Sequence, residues 1–404
     1  MTYAEALAWL YGTQRFGIKL GLENVQRLLR ELRLPGEGQR IIHVAGTNGK
    51  GSVCAMIDSI CRAAGYRTGL FTSPHLITYR ERIRVNGEMI APAEVAIGLT
   101  TIQDLIKAWD PHPTFFEITT ALALDYFKAN KCELIVLETA LGGRLDATNA
   151  LTPIVSVITP IGYDHEKWLG QTLEAIASEK AGIIKAKVPV VSATQEPVAE
   201  QIIRARAAEC ESPVDFVPAQ FTNSRVGLIG KHQQQNAGIA IAALRAGKIS
   251  VTDDAIASGL ANVEWPARFQ RWENRIVIDG AHNPAGAKVL AETWREQFGA
   301  ERATIILAVL REKDVTGICR ALAPIAARFI LPQIRAERSL PPGELVPHLS
   351  VLGLLYSIAP SFASALESAR ANPEPILITG SLHFAGEALA TLNGDADSLE
   401  DCAQ

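Results

Sequence analysis

The sequence predicts two α/β domains in tandem, each a mainly parallel sheet with helices on its faces. Three observations carry this. Short apolar runs rich in Val and Ile alternate with helical patterns, as strands covered on both faces require. The alternation occurs twice, between residues 41 and 194 and again from 275 to 381. The chain has 404 residues, too many for one ordinary domain of about 150.

In the first series the expected strands are IIHVAG (41–46), ELIVLETA (133–140), IVSVITP (154–160) and VPVVSAT (188–194). After the first, Val53, Met56, Ile57, Ile60, Cys61 and Ala64 keep three- and four-residue spacing and Gly65 supplies a stop, which predicts a helix. Residues 172–186 predict another. In the second series RIVIDGA (275–281), TIILAVL (304–310), RFILP (328–332) and PILITGS (375–381) alternate with helices near 285–298, 315–327 and 361–371. Between the series lies NVEWPARFQRW (262–272), whose Trp-Pro step suits a hinge. The expected domains are therefore 1–265 and 273–404, with 266–272 as linker. The polar tail 393–404 is expected to fray.

Composition is that of a globular protein, 48% hydrophobic and 20% charged, without repeats or biased tracts. A formal charge of −4 gives no reason to expect nucleic acid or an acidic membrane as the main partner. None of the six cysteines forms C-x-x-C, so no zinc ribbon or redox pair is expected. The start lacks the pattern of a signal peptide, and no run of 18 apolar residues suggests a span. A cytoplasmic setting is expected.

Chemistry first shows itself in GTNGKGS (46–52). A strand feeds a turn containing Gly46, Gly49 and Gly51, and a helix opens there. Backbone N–H groups of such a turn, with the helix N-terminus, suit phosphate; an ordinary Gly-rich turn is the plainer alternative. The pattern departs from G-x-x-x-x-G-K-[ST]. Val44 stands at the first glycine, and Gly51 stands where a metal-binding hydroxyl should follow Lys50. Thr47 or Ser52 could supply that ligand, or could cap the helix and hold the turn.

Glu138 ends an apolar strand, where open α/β sheets bind ligands, and is a candidate Mg²⁺ ligand; a structural ion pair is its alternative. Asp146 and Asn149 lie in the next polar loop, to contact substrate or to form turns. Asp164 and His165 emerge at the same sheet end. Lys180, inside a predicted helix, reads from spacing alone as a solvated residue. Phe115 and Phe116 open a helix and could stack an aromatic substrate or pack the core; RFGIKLGLENV (15–25) could border the same pocket.

Together these stretches resemble the Mur ligases, and most closely the dihydrofolate synthase/folylpolyglutamate synthase family. The likeness spans nearly the whole chain in order: GTNGKGS, TSPHL (72–76), ERIRVNG (81–87), ETALGGRLDATN (138–149), DHEKWLG (164–170), EKAGIIK (179–185), HQQQNA (232–237), WPARFQ (265–270), DGAHNP (279–284) and GSLH (380–383). The resemblance implies a P-loop ATPase-like first domain and a Rossmann-like second. It implies ATP on Thr47, Asn48, Gly49, Lys50, Gly51 and Ser52, with Asn236 on the adenine side, Asp279 near ribose, and Arg268 and His282 near phosphate. Ser73 and Glu138 match ligands of one Mg²⁺ and His165 a ligand of a second. Lys180 matches a lysine that is carbamylated in relatives. Ser381 and His383 match the region of the incoming glutamate. Arg82, Asp146, Phe115 and Phe116 complete the substrate side. Lys50, Lys180, His165 and Arg268 are the expected catalytic set.

Two departures are visible. The family's PGRFQ is here PARFQ, which costs a glycine's freedom before Arg268, and DKD appears as REKD (311–314). The implied reaction is ATP-dependent joining of L-glutamate to dihydropteroate or to the γ-carboxylate of a reduced folate, through an acyl phosphate. The expected enzyme is bifunctional and monomeric, with small-molecule partners only. Extension of folates alone is the alternative. A cell-wall Mur ligase would carry a further N-terminal domain, for which 45 residues before the loop leave no room. A non-catalytic nucleotide switch would have lost Lys50, Glu138 or His165.

Overall fold

The computed structural model describes residues 1–16, 21–218, 225–336 and 338–400. The first sheet comprises β1 (Arg40–Ala45), β2 (Thr68–Phe71), β3 (Ile83–Val85), β4 (Glu88–Met89), β5 (Leu134–Glu138), β6 (Val155–Ile158), β7 (Val190–Ala193) and β8 (Val214–Val217). The second comprises β9 (Gln270–Trp272), β10 (Ile276–Ile278), β11 (Ala303–Leu307), β12 (Ala326–Pro332), β13 (Tyr356–Ala359) and β14 (Ile376–Thr379). Their orders are β4-β3-β2-β5-β1-β6-β7-β8 and β13-β12-β11-β14-β10-β9. Among these strands, antiparallel pairing is confined to β2–β3, β3–β4 and β9–β10.

Alternate residues of one strand enter different cores, which is why the runs read as continuously apolar. Ile41 packs with the helices Tyr3–Gly12, Glu23–Leu32, Pro92–Ile106 and Phe115–Ala129. Ile42 and Val44 pack on the other face with Lys50–Ala63, Lys231–Ala246 and Asp253–Ala261. In the second sheet Ile305 and Leu307 face one core and Ile306 the other. Among the described residues no helix is long and apolar enough to cross a membrane.

β1 lies between β5 and β6, and the chain leaves it in both directions across the sheet. This places the loops after β1, β5 and β6 around one crevice, the ligand position of open α/β sheets. In the second sheet the loops after β10, β11 and β14 emerge side by side.

All eight expected strands are present; six are shorter than expected, β1 is shifted by one residue and β12 begins two residues earlier. Six others lacked a clear pattern. β2 reads TGLF, half of it non-apolar, and β8 and β13 are partly exposed. β9 lies within the expected linker, so its residues 270–272 belong to the second sheet. The helix expected over 172–186 ends at Ala181, and that over 315–327 at Leu322. The expectation of a frayed tail is corrected as far as residue 400. Glu400 N donates to Ile77 O at 2.8 Å, while its carboxylate accepts from Tyr3 Oη at 2.9 Å and Tyr79 N at 2.6 Å. Residues 401–404, with Cys402, lie outside the described residues, as do residues 17–20 of the segment proposed to border the pocket.

The domains meet through the segment after β2. Leu76 is buried in the second domain's core. A Cβ on Gly386, in the helix Leu382–Leu392, would run into the Leu76 carbonyl, with its carbon 2.7 Å away. Gly386→Ala is therefore expected to destabilise the docked state by about 1–3 kcal/mol. A lower melting temperature and faster proteolysis near residues 262–272 would show it; an unchanged melt would mean that this contact yields freely.

Candidate active site

β1 runs into Gly46, Thr47, Asn48 and Gly49, and the helix Lys50–Ala63 follows. Gly46 has φ +147° and lies against the Thr159 side chain where no Cβ would fit. Gly49, the N-cap, has φ +88° and a left-handed backbone that glycine adopts at least cost. No side chain caps this helix, so its first turn is left open to an anion. Thr47 holds the turn: its N–H donates to Pro160 O at 3.0 Å and its hydroxyl to Gly162 O at 3.0 Å. The Lys50 ammonium donates to Thr47 O at 3.3 Å and stands 4.0 Å from Glu138 Oε1.

Glu138 closes β5, beside β2, so Ser73 just beyond β2 arrives next to it. Ser73 N donates to Glu138 Oε2 at 3.3 Å. Burial pushes the Glu138 carboxyl up, against the charge of Lys50. Ser73 Oγ and Ser52 Oγ are both buried without a hydrogen-bond partner. A buried orphan hydroxyl beside a carboxylate is a donor set that suits Mg²⁺, which takes one or two protein oxygens and keeps the rest for phosphate and water. Among the described residues no three His, Cys, Asp or Glu side chains form a cage, so His165 is not gathered with Glu138 into one.

His165 sits half-exposed at the left-handed start of the short helix Glu166–Leu169. Its neighbour Asp164, given no role from sequence, is the hub between the domains. Asp164 accepts from Lys313 Nζ at 2.6 Å and from Asn283 Nδ2 at 3.1 Å, and lies 3.3 Å from His282 Nε2. Burial opposes its ionisation, but His282 and Lys313 override this and hold the carboxyl far below the usual range. Asn48 and Asn283 exchange amide hydrogen bonds at 3.2 and 3.1 Å, so the phosphate loop is itself tied to the second domain. Asn283 and Lys313 fell inside quoted motifs but carried no signal of their own. In REKD, Glu312 pairs with Lys167 at 2.9 Å.

Lys180 overturns the reading of a solvated residue. It is 5% exposed and donates to Gly46 O at 2.8 Å. Burial, then the charge of Lys50, lowers its pKa to about 7. Asp146 lines the cleft and also forms the turn that was its alternative. Its carboxylate accepts from Ala140 N, Leu141 N, Thr148 N and Thr148 Oγ1 at 2.5–3.0 Å, all within its own loop. Asn149 likewise donates to backbone carbonyls of Arg144 and Gly182.

From the second domain, Asp279 follows β10 and accepts from Phe269 N and Ala281 N, both at 2.8 Å. Ala267 has φ +56°. Alanine thus takes the left-handed conformation that glycine would hold more cheaply, by about 1 kcal/mol, and Arg268 still reaches the cleft. Ser381 Oγ caps the helix Leu382–Leu392 by accepting from Phe384 N at 3.0 Å. Asn236 Nδ2 donates to Gln233 Oε1 at 2.9 Å.

On the acceptor side, Phe115 stacks on Tyr11 at 5.7 Å and meets Tyr79 edge-on at 6.3 Å. Phe116 lies against Phe71 at 5.6 Å. The aromatic-core reading therefore holds for both, yet both also line the cleft. Buried Arg82 donates to His75 Nδ1 at 2.9 Å and lies 5.4 Å from the Phe115 ring.

Ser73, Glu138, His165, Lys180, Asn236, Asp279, His282 and His383 line one cleft of about 1230 Å³ between the domains. Comparison with known proteins agrees with its two-part construction. Residues 44–216 match the Mur ligase middle domain, and residues 267–382 the Mur ligase glutamate ligase domain. The dihydrofolate synthase/folylpolyglutamate synthase of Bacillus subtilis is 37% identical, covering 95% of this chain and 97% of that one. The structure of Escherichia coli FolC in complex with DHPP and ADP superposes with a TM-score of 0.89 at 30% identity, over 98% and 99% of the two chains. A bifunctional folylpolyglutamate synthase/dihydrofolate synthase with Mn, AMPPNP and L-glutamate bound gives 0.87 at 30%, over 96% and 98%. The chain therefore belongs to the dihydrofolate synthase/folylpolyglutamate synthase family of Mur ligases and is an ATP-dependent ligase.

Proposed function

We propose that the protein joins L-glutamate both to dihydropteroate and to the γ-carboxylate of reduced folates, using ATP. The observation that carries this is the interdomain cleft, where the open phosphate loop faces Arg268, Asp279 and His282 of the DGAHNP side. A carboxylate oxygen of the acceptor attacks the γ-phosphorus and ADP leaves. The glutamate amine then attacks the acyl phosphate carbon, and phosphate leaves with the former carboxylate oxygen.

Two anions must approach in the first step. Lys50 and Arg268 offset that repulsion from opposite domains. Mg²⁺ held by Ser73 Oγ and Glu138 would neutralise the phosphates further, and His165 at the cleft mouth suits a second ion. The neutral amine form of Lys180, present because its pKa lies near 7, suits carbamylation, which would give an anion beneath the loop. The Asp164 hub and the Asn48–Asn283 pair hold the domains together and keep water from the acyl phosphate.

The test is a product assay with ATP, Mg²⁺ and glutamate, comparing dihydropteroate with tetrahydrofolate. Glutamate-dependent product from both is expected. Turnover with tetrahydrofolate but none with dihydropteroate would restrict the enzyme to polyglutamate extension. No ATP use with either would remove the ligase reading.

A further inference from the structure

The phosphate loop lacks a hydroxyl after its lysine, and the structure shows what stands there instead. A Cβ at Gly51 would lie 2.8 Å from Trp265 Nε1 and 3.4 Å from Trp265 Cε2. The indole edge therefore occupies the space into which a Ser or Thr at that position would project. Trp265 is half-buried, lines the cleft, and has Arg84 5.6 Å from its ring centroid. Its N–H has no protein acceptor among the described residues, unlike that of Trp294, which donates to Glu301 O at 2.8 Å. Trp265 Nε1 is not sealed in the core but open to the cleft, where a ligand oxygen can reach it.

We infer that Trp265 is a nucleotide-binding residue whose indole N–H donates to a β-phosphate oxygen. This rests on the proposed ATP site. In a Walker loop the hydroxyl after the lysine holds the Mg²⁺ that bridges β- and γ-oxygens. An N–H cannot ligate a cation, but it can donate to the same phosphate oxygens. The exchange also accounts for Gly51, since any side chain there would displace the indole. Because Trp265 directly precedes Pro266, Ala267 and Arg268, a hydrogen bond from it would connect phosphate occupancy to the chain between the domains.

Calorimetric binding of ADP and AMP to the full chain tests this, with Trp265→Phe and Trp265→Leu compared to the wild type. Phenylalanine keeps a ring on Gly51 and Arg84 and removes only the donor. A hydrogen bond to a charged group predicts about a tenfold loss of ADP affinity in Trp265→Phe. AMP, which has no β-phosphate, should bind the same variant as it binds the wild type. A role in packing alone would spare both ligands in Trp265→Phe and weaken both in Trp265→Leu, and that pattern would overturn the inference. Equal ADP affinity in wild type and Trp265→Phe would overturn it too, leaving the ATP site intact. Failure of the wild type to bind ADP at all would remove the ATP site and this inference with it.

Discussion

Lys50→Ala should reduce kcat/KM for ATP by roughly a thousandfold or more, the loss seen when a preorganised charge on a transferring phosphoryl group is removed. The geometry makes the residue hard to replace. Its ammonium is held by Thr47 O at 3.3 Å at the open end of the helix Lys50–Ala63, and it is the cation beside buried Glu138. The fold should survive, because Gly46, Gly49 and the Thr47 contacts to residues 160–162 fix the loop without it. Stability should nonetheless become pH-dependent. Burial already pushes the Glu138 carboxyl up, and Lys50 opposes that shift. Without Lys50 the folded pKa rises further above the unfolded value. Stability linked to Glu138 is then complete at acid pH and falls as pH rises toward the folded pKa. The variant should melt below the wild type near neutrality and regain part of the difference toward pH 5. Adding Glu138→Gln should abolish this pH dependence. Near-normal turnover in Lys50→Ala would mean that ATP binds elsewhere.

The strands legible in the sequence were those buried on both faces. Ile41 and Ile42 enter opposite cores, and so do Ile305 and Ile306, so their runs are unbroken. β2, β8 and β13 lacked that signal because they contain glycine or polar residues or face solvent along the sheet's outer part. At the site, Lys50 and Glu138 could be inferred from position alone, one after a glycine turn and the other at a strand's end. Ser73, Asn236 and Ser381 required the family resemblance. Lys180 illustrates why. Its helix carries an apolar stripe, Leu173, Ile176, Ala177 and Ala181, with Lys180 in register on it, but a lysine there reads as reaching out to solvent, and its partner, Gly46 O, is 134 residues away. Asp164 is the complementary case. Its motif was visible, but its function as hub depends on Asn283 and Lys313, which only the second domain's fold brings near.

Lys180 should show opposite effects on activity and stability. Lys180→Ala is expected to lose on the order of a hundredfold to a thousandfold in kcat, the range for removing a charge that supports the transition state. A short carboxylic acid added in solution should restore part of it, because a carboxylate can stand where a carbamate would. Carbamylation requires a neutral amine: its nitrogen attacks the CO2 carbon and releases a proton, leaving an anion. Burial, with Lys50 nearby, brings the pKa from 10.5 to about 7, so half the amines are neutral at that pH. The same shift has a cost in the unmodified protein. Between about 7 and 10.5 the unfolded chain holds a proton that the folded one does not, so this residue's contribution to stability rises with pH across that window. Below it the folded state carries a buried ammonium at full penalty. Lys180→Met, uncharged and of similar reach, should therefore melt higher than CO2-free wild type by the equivalent of a few kcal/mol at pH 6, less whatever the unpaired Gly46 carbonyl costs. That advantage should shrink steadily toward pH 10. Bicarbonate should raise the activity of CO2-depleted wild type and leave Lys180→Met inactive. If Lys180→Met melts below the wild type throughout, the lysine is a structural donor to Gly46 rather than an amine kept neutral for modification, and the carboxylic acid should then rescue nothing.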